Sequence, residues 1–206
     1  LKEKRQKLGG YIPNRTLSCP SLIIPELERF GNFLDSSKER EMSTTGIMVR
    51  LLASLLKLTE VQRYIVPIVP DEARTFGMEG LFQAAGIYSP QGQLYQSLDG
   101  DSLMPYREAE DGQILQEGIT EVGAIASFMA AGSAYSVHGL PMIPFYFFYS
   151  MFGMQRVGDM IWSCGDMMCK GFLLGGTAGR TTLNGEGLQH QDGHSLLIAH
   201  TNPAVK

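Results

Sequence analysis

Short apolar runs alternate along the chain with longer stretches in which apolar residues recur every three or four positions. The runs at Ile65–Val69, Met142–Tyr149 and Phe172–Leu174 lack polar alternation, which is typical of strands buried on both faces of a sheet. Apolar residues at helical spacing follow the N-cap cluster Ser43–Thr45, which predicts a helix. This order of elements predicts an α/β fold with a parallel sheet and helices on both faces.

Two more helices are predicted between the apolar runs, over Gly112–Ala131 and Gln155–Trp162. Residues 88–111 are polar and turn-rich, and they predict a long loop. Residues 1–41 are irregular and contain three prolines, a pattern typical of a connector. We therefore expect a connector at 1–41, followed at 42–206 by one α/β domain or part of one.

Composition favours a globular protein from a reducing compartment. Of its 206 residues, 44% are hydrophobic and 18% are charged, so a packed core is expected rather than disorder. The three cysteines fit neither a disulfide framework nor zinc-finger spacing, which predicts free thiols and a cytoplasmic location. The net charge is −4, and acidic residues prevail after Arg63. Nucleic acid is therefore not expected as a partner, because phosphate binding needs clustered Lys and Arg.

One stretch is long enough to cross a membrane, but its pattern is wrong. Val122–Gln155 contains no Asp, Glu, Lys or Arg and exceeds the length that spans a bilayer. Glycines, serines, Pro141 and Pro144 interrupt it. These interruptions are typical of a buried helix, a turn and a buried strand, so no membrane partner is predicted.

Carboxyl groups at two places in the chain are candidates, one within a predicted helix and a pair beyond a predicted strand, where parallel sheets gather functional residues. Glu121 is the first candidate: only uncharged residues follow it as far as Gln155, so its carboxyl group should be partly desolvated. The alternative is that Glu121 is the last solvated residue before a helix enters the core. Asp71 and Glu72 follow the first strand, and a loop ion pair with Arg74 is the alternative there.

Aromatic and histidine side chains provide further candidates. Tyr149 and Phe152 flank the end of the aromatic strand, where core packing is the alternative to ligand contact. His190, Asp192 and His194 form an H-x-D-G-H sequence, which would suit a metal if it were helical. The glycines around it predict a loop. A metal hydrolase is therefore kept only as an alternative hypothesis, and no metal ligand is predicted.

Four segments of the chain together resemble one enzyme family. In chain order they are DEARTFGMEG (71–80), QILQEGITEVG (113–123), PMIPFYFFYSMFGMQRVGD (141–159) and GRTTLNGEGLQHQDGHS (179–195). They resemble the homodimeric-type pyruvate dehydrogenases, the decarboxylating components of bacterial pyruvate dehydrogenase complexes. The resemblance runs from about Gly9 to Val205, and its end, HSLLIAHTNPAV, is most similar to the actinobacterial branch. It implies the front part of the middle, pyrimidine-binding, transketolase-like domain, with an incomplete parallel sheet.

The resemblance implies a role for each candidate in a thiamine-diphosphate-dependent reaction. Glu121 resembles the glutamate that hydrogen-bonds N1′ of the cofactor's aminopyrimidine and so helps to activate its thiazolium ring. Phe152 resembles the aromatic residue that stacks on the pyrimidine. Tyr149 and His190 match residues on the substrate side of the pocket, and Glu72 matches an acidic residue near the dimer interface.

The resemblance also implies partners and parts outside this chain. It implies pyruvate as substrate, a second subunit of a homodimer, and the lipoyl domain of dihydrolipoyl acetyltransferase as acceptor of the acetyl group. The family's diphosphate and Mg2+ motif, Gly-Asp-Gly followed by Asn, belongs to an N-terminal domain and does not occur here. We therefore expect the segment alone to be inactive.

The chain departs from the family pattern in one loop. Residues 91–107 match a mobile loop that closes over the bound intermediate, but Gly100, Ser102 and Pro105 replace the charged, polar and aromatic residues of the family. These departures concern closure of the loop and not contact with the pyrimidine.

The alternative to an active-site segment is a non-catalytic, truncated remnant or interaction fragment of the same enzyme.

Overall fold

The computed structural model describes residues 1–7, 18–71, 73–98, 100–176 and 188–206. Within these ranges the chain forms a four-stranded sheet and a separate pair of short strands. The helices and strands, in chain order, are α1 Lys2–Lys7, α2 Thr44–Leu55, β1 Ile65–Val69, α3 Glu79–Ala85, β2 Ile87–Tyr88, β3 Glu108–Ala109, β4 Leu115–Gln116, α4 Glu121–Val137, β5 Ile143–Tyr149, α5 Met154–Asp166, β6 Phe172–Gly176 and α6 Ser195–Ala199. Short 3-10 helices lie at Leu27–Phe33, Gln62–Tyr64, Ala73–Phe76, Ser150–Phe152 and Leu188–His190.

The larger sheet has the strand order β4-β1-β5-β6, and its neighbouring strands are all parallel. The strands β1 and β5 form its centre, where Ile65 lies opposite Ile143 and Ile68 opposite Tyr146. Every residue of β1 and the middle five of β5 are buried. The prediction of a parallel sheet buried on both faces is confirmed.

Alternate side chains of β1 and β5 enter two hydrophobic clusters, one on each face of the sheet. Ile65, Val69 and Phe145 pack with residues of α2 and α3, whereas Val66 and Tyr146 pack with residues of α4 and α5. Successive residues of a strand point to opposite faces, so each central strand contributes to both clusters. The predicted placement of helices on both faces is therefore confirmed.

The segment Gly112–Ala131 differs from the prediction of one helix. Its first part forms β4, and α4 begins only at Glu121. Between them Gly118 adopts a φ of +82°, a left-handed conformation that ends a helical path and suits glycine. The Thr120 hydroxyl then caps α4 by accepting a hydrogen bond from the backbone N–H of Gly123 at 3.1 Å. A strand as short as β4 has no period of its own, so its pattern could not be told from that of a helix.

The connections of β1 and β4 run over opposite faces of the sheet. The chain leaves β1 towards α3 on one face, and it leaves β4 towards α4 on the other. Neighbouring strands with such connections leave a crevice beyond their carboxyl ends, where ligands bind in open α/β sheets. The candidate residues are therefore expected to lie around this crevice.

Two sequence-based expectations concern the limits of the fold. The boundary placed after residue 41 stays a prediction; the 3-10 helix Leu27–Phe33, which precedes it, contacts α2. Among the helices in the described ranges, none has both the length and the apolar character needed to cross a bilayer.

Candidate active site

A cavity of about 270 Å³ opens beyond the carboxyl ends of β1, β4 and β5. Its lining residues are Pro70, Asp71, Ile119, Glu121, Tyr149, Phe152, Arg156 and His190. Five candidate residues that were named from the sequence thus share one cavity: Asp71, Glu121, Tyr149, Phe152 and His190. Glu72 lies outside the described residues.

Glu121 is the first residue of α4, and its side chain is only 12% exposed. This low exposure agrees with the partial desolvation expected for it, although Glu121 lies at the start of a helix and not inside the helix predicted over Gly112–Ala131. Its Oε1 accepts a hydrogen bond from Nη1 of Arg156 at 3.0 Å. The positive end of the α4 dipole lies at the same place.

Glu117, four residues earlier, has a different environment. Its backbone N–H donates to the carbonyl of Val69 at 2.9 Å, which extends the pairing of β4 with β1. Its carboxylate accepts a hydrogen bond from the hydroxyl of Ser127 on α4. Glu117 therefore fixes the turn between β4 and α4, whereas Glu121 faces the cavity.

Arg156, which the sequence analysis did not single out, joins Glu121 to Phe152. Its guanidinium carbon lies 3.8 Å from the centre of the Phe152 ring, within the range of a cation–π contact. A carboxylate and an aromatic face thus hold one planar N–H cation between them. A sequence signal existed, because no other Lys or Arg occurs between Arg107 and Lys170.

Tyr149, Phe152 and His190 form an aromatic wall of the cavity. The His190 ring lies 5.3 Å from the Tyr149 ring and 5.2 Å from the Phe152 ring, and the two phenyl rings are 6.0 Å apart. All three contacts are edge-on, the arrangement that aromatic quadrupoles favour. Core packing, the alternative for Tyr149, is also present, because its ring lies 5.2 Å from that of Phe76.

Asp192 fixes the turn that follows His190. Its carboxylate accepts hydrogen bonds from the hydroxyl of Ser150 and from the backbone N–H groups of His194 and Ser195, the latter two at 2.9 and 3.1 Å. Burial alone would raise the pKa of Asp192, but these hydrogen bonds outweigh it and lower the pKa to about 2. Asp192 thereby ties the segment that carries His190 to the end of β5.

The H-x-D-G-H sequence is thus used to build a loop. The Asp192 oxygens bind a hydroxyl and backbone N–H groups, and the His190 ring contacts two aromatic rings. In the part of the chain that the structure describes, no three His, Cys, Asp or Glu side chains are grouped so that they could hold a metal ion. The metal-hydrolase hypothesis therefore finds no support in this geometry.

Two side chains contact the end of the segment 91–107, which resembles a mobile loop. Gln83 donates to the carbonyl of Pro105 at 3.3 Å, and Arg74 donates to the carbonyl of Met104 at 2.9 Å. The Arg74 side chain is thus engaged with this loop. Movement of the loop stays a prediction.

The structure is an α/β domain with a cavity at the point where the strand connections diverge. A family model described as the pyruvate dehydrogenase E1 component middle domain matches residues 22–206. The chain belongs to this pyruvate dehydrogenase E1 middle-domain family.

Curated relatives agree with the family model. The chain is 58% identical over 203 residues to the pyruvate dehydrogenase E1 component of Pseudomonas aeruginosa, 54% over 204 residues to that of Escherichia coli K12, and 51% over 203 residues to that of Mycobacterium tuberculosis. Each match covers 98% of this chain but only 22–23% of the relative. The chain therefore spans less than a quarter of the length of these relatives. The actinobacterial likeness of its end does not extend to overall identity, which is higher to the Pseudomonas relative.

The cavity residues fit the aminopyrimidine half of thiamine diphosphate. Such a ring needs a carboxylate that accepts an N–H and an aromatic face beside it. Glu121 and Phe152 provide both, and the guanidinium of Arg156 shows that the two groups reach the same planar N–H donor.

Proposed function

We propose that this chain forms the pyrimidine-binding part of the active site of a thiamine-diphosphate-dependent pyruvate dehydrogenase E1 component. The observation that carries the proposal is the joint contact of Glu121 and Phe152 with the planar cation of Arg156. The aminopyrimidine ring is also planar, and it donates an N–H when it is protonated at N1′. When bound, the cofactor supplies the electron sink that a 2-oxo acid needs to lose CO2.

Glu121 would accept the N–H at N1′ and hold the proton at that atom. Its side chain is 12% exposed, so little water competes for the hydrogen bond. The Thr120 cap and the packing of α4 on the sheet fix its position. A fixed and mostly buried acceptor is suited to acid–base work.

Arg156 would exchange with the pyrimidine ring. Its side chain is 49% exposed, and ion pairs this open to solvent contribute little free energy. The guanidinium can therefore leave Glu121 and Phe152 at small cost when the ring arrives. Before that, it supplies the carboxylate with a counter-charge.

Tyr149 and His190 would line the substrate side, with pyruvate next to the cofactor. Tyr149 ends β5, and the turn fixed by Asp192 follows His190, so the sheet and the turn place their rings in one wall. The role of Glu72 at a subunit interface is also part of the proposal, and it rests on family resemblance alone.

The remaining parts of the enzyme are proposed to lie beyond this chain. The Gly-Asp-Gly…Asn motif is not in the sequence, so other residues would bind the diphosphate and Mg2+. A second subunit of a homodimer would complete the site. The lipoyl domain of dihydrolipoyl acetyltransferase would accept the acetyl group, and the low cysteine count favours the cytoplasm. We expect this segment alone to be inactive.

The test compares two carboxylates in the full-length enzyme that contains this chain. Glu121→Gln should lower kcat for pyruvate decarboxylation by roughly 10²- to 10⁴-fold, as expected when a positioned acid–base group is lost. Glu117→Gln is the matched control, because Glu117 lies only four residues before Glu121 but its carboxylate accepts a hydrogen bond from Ser127. It should leave kcat close to that of the wild type. Decarboxylation is followed with an artificial electron acceptor, and circular dichroism reports the fold.

Two outcomes would contradict the proposal. Wild-type kcat in a folded Glu121→Gln variant would remove the residue from the reaction. A full-length wild-type protein that neither binds thiamine diphosphate nor decarboxylates pyruvate would instead favour the non-catalytic remnant.

A further inference from the structure

Helix α5 ends in a turn that brings Cys164 and Cys169 together. The backbone N–H of Cys169 donates to the carbonyl of Cys164, and that of Met168 donates to the carbonyl of Gly165, both at 2.9 Å. Met168 adopts a left-handed φ of 53°. These three features define a Schellman motif at the end of the helix. In this motif, a hydrophobic contact often forms between the two residues that lie five positions apart and share a backbone hydrogen bond. Here both of those residues are cysteines.

The two thiols lie close to each other. After burial, the neighbouring Cys169 thiol is the next cause that raises the pKa of Cys164, and both cysteines are free thiols. The Cys169 sulfur lies 3.7 Å from the carbonyl oxygen of Met129 on α4. A disulfide needs Cβ atoms about 3.5–4.5 Å apart. The backbone hydrogen bond between the two residues and the closeness of their thiols favour such a link.

A cavity gives small molecules access to this pair. It measures about 570 Å³, and Cys164, Met168 and Cys169 are among its lining residues. Cys164 is only 7% exposed, whereas Cys169 is half-buried. An incoming reagent therefore meets Cys169 first, and Cys164 lies behind it as the second thiol.

We propose that Cys164 and Cys169 form a redox modification site, at which a small-molecule disulfide such as oxidised glutathione converts them into an intramolecular disulfide. The Cys169 thiolate attacks one glutathione sulfur, which forms a mixed disulfide and releases the first glutathione. Cys164 then loses its proton and attacks the Cys169 sulfur, which releases the second glutathione. Two protons and two electrons leave the protein, and oxidised glutathione is reduced to two thiols.

The environment of the pair sets its rate. Burial raises the pKa of Cys164 to about 12, and it raises the pKa of Cys169 as well. Only the thiolate is nucleophilic, so the exchange is slow near neutral pH and accelerates as the pH rises. The pair would therefore stay reduced under ordinary reducing conditions and respond to sustained oxidation.

A single peptide tests the proposal. Trypsin releases Val157–Lys170, which contains both cysteines and no other. The native full-length protein is incubated with oxidised glutathione, its remaining thiols are alkylated, and it is digested with trypsin. The mass of the peptide is then measured by mass spectrometry. We expect it to lack two hydrogen atoms, to carry no alkyl group, and to regain both thiols with dithiothreitol. Cys19 lies in another tryptic peptide and serves as an internal control, which should form no link to either residue.

Variants separate the two steps of the exchange. In Cys164→Ser, the mixed disulfide of Cys169 with glutathione should accumulate, because the second thiol is missing. Met168→Gly should retain the crosslink, because glycine adopts the same left-handed conformation. A wild-type peptide that remains doubly alkylated, or a mixed disulfide on Cys169 that persists in the wild type even at alkaline pH, would overturn the proposal.

Discussion

The two ends of the helix pair α4 and α5 are built from opposite kinds of contact. At their N-terminal ends, a carboxylate, a guanidinium and aromatic rings surround a cavity: Glu121 bonds to Arg156, which lies over Phe152. At the other end, small residues allow close approach, and Gly132 of α4 packs against the backbone of Lys170. The N-terminal ends of the two helices line a cavity, whereas near their C-terminal ends two main chains pack against each other.

This difference shows how the charged end is positioned. Helices of one layer pack through rigid contacts that transmit small shifts, so a tight contact at one end limits the freedom of groups at the other. The backbone N–H of Lys170 donates to the carbonyl of Gly132 at 3.0 Å, which anchors α4 beside the start of β6. The position of Glu121, at the opposite end of α4, is thereby fixed in part by a contact between main chains.

Gly132→Ala should disrupt the close contact between α4 and the backbone of Lys170. A Cβ at this position would lie 2.9 Å from the carbonyl oxygen of Lys170 and 3.1 Å from the Cβ of Cys169, so the backbones must separate. We expect a loss of about 1–3 kcal/mol in stability, typical of overpacking. Thermal unfolding of the full-length enzyme measures it. If the contact between Gly132 and Lys170 helps to position Glu121, kcat should fall as well.

Gly158→Ala on α5 is the matched control for that variant. Apart from its chain neighbours and its own helix backbone, no heavy atom of the described residues lies within 4 Å of a Cβ at Gly158. Alanine is favoured over glycine inside helices by roughly 0.8–1 kcal/mol. This variant should be slightly more stable than the wild type and equally active. Equal stability of Gly132→Ala and Gly158→Ala would contradict the expected difference between a closely packed glycine and an open one.

Phe152→Leu should weaken the cavity end with a smaller effect. Leucine keeps an apolar side chain but removes the ring face, and aromatic stacking contributes about 0.5–1.5 kcal/mol. The KM for thiamine diphosphate should therefore rise by up to about tenfold, as measured by activation of the apoenzyme. Phe172→Leu removes an exposed ring on β6, remote from the cavity, and should leave this KM unchanged. An equal rise in both variants would argue against a specific stacking role for Phe152.

The central strands were predictable from the sequence, and the edge strand β4 was not. Strands β1 and β5 are buried on both faces, and this leaves a continuous apolar run in the sequence. β4 has two residues, and only its pairing with β1 makes it a strand. The start of α4 was misplaced for the same reason, because the turn at Gly118 depends on that pairing.

The residues that line the cavity were candidates from the sequence, but the contacts between them were not predicted. Glu121, Phe152, Tyr149 and His190 were candidates by position, and family resemblance implied their roles, because position alone left each with a structural alternative. The contact of Glu121 with Arg156 joins residues 35 positions apart on two helices. No period in the sequence encodes such a contact, since it arises from how α4 and α5 pack on the sheet.

The smallest expected effect is the coupling between Glu121 and Arg156. A double-mutant cycle with Glu121→Gln and Arg156→Met should give a coupling within the roughly 0.2–1 kcal/mol found for solvent-accessible pairs. The Arg29–Glu60 pair has the same 3.0 Å distance but a more exposed carboxylate, 25% against 12%. Its own cycle, with Arg29→Met and Glu60→Gln, should show a weaker coupling that salt screens more completely.

The two double-mutant cycles are repeated with saturating thiamine diphosphate, which tests whether the cofactor displaces Arg156. If the pyrimidine takes the place of the guanidinium, the coupling between Glu121 and Arg156 should shrink towards zero, while that of Arg29 with Glu60 stays the same. Thermal unfolding of the four proteins of each cycle, with and without the cofactor, gives all the values. A Glu121–Arg156 coupling that persists unchanged with bound cofactor would show that the guanidinium and the pyrimidine do not compete for this carboxylate.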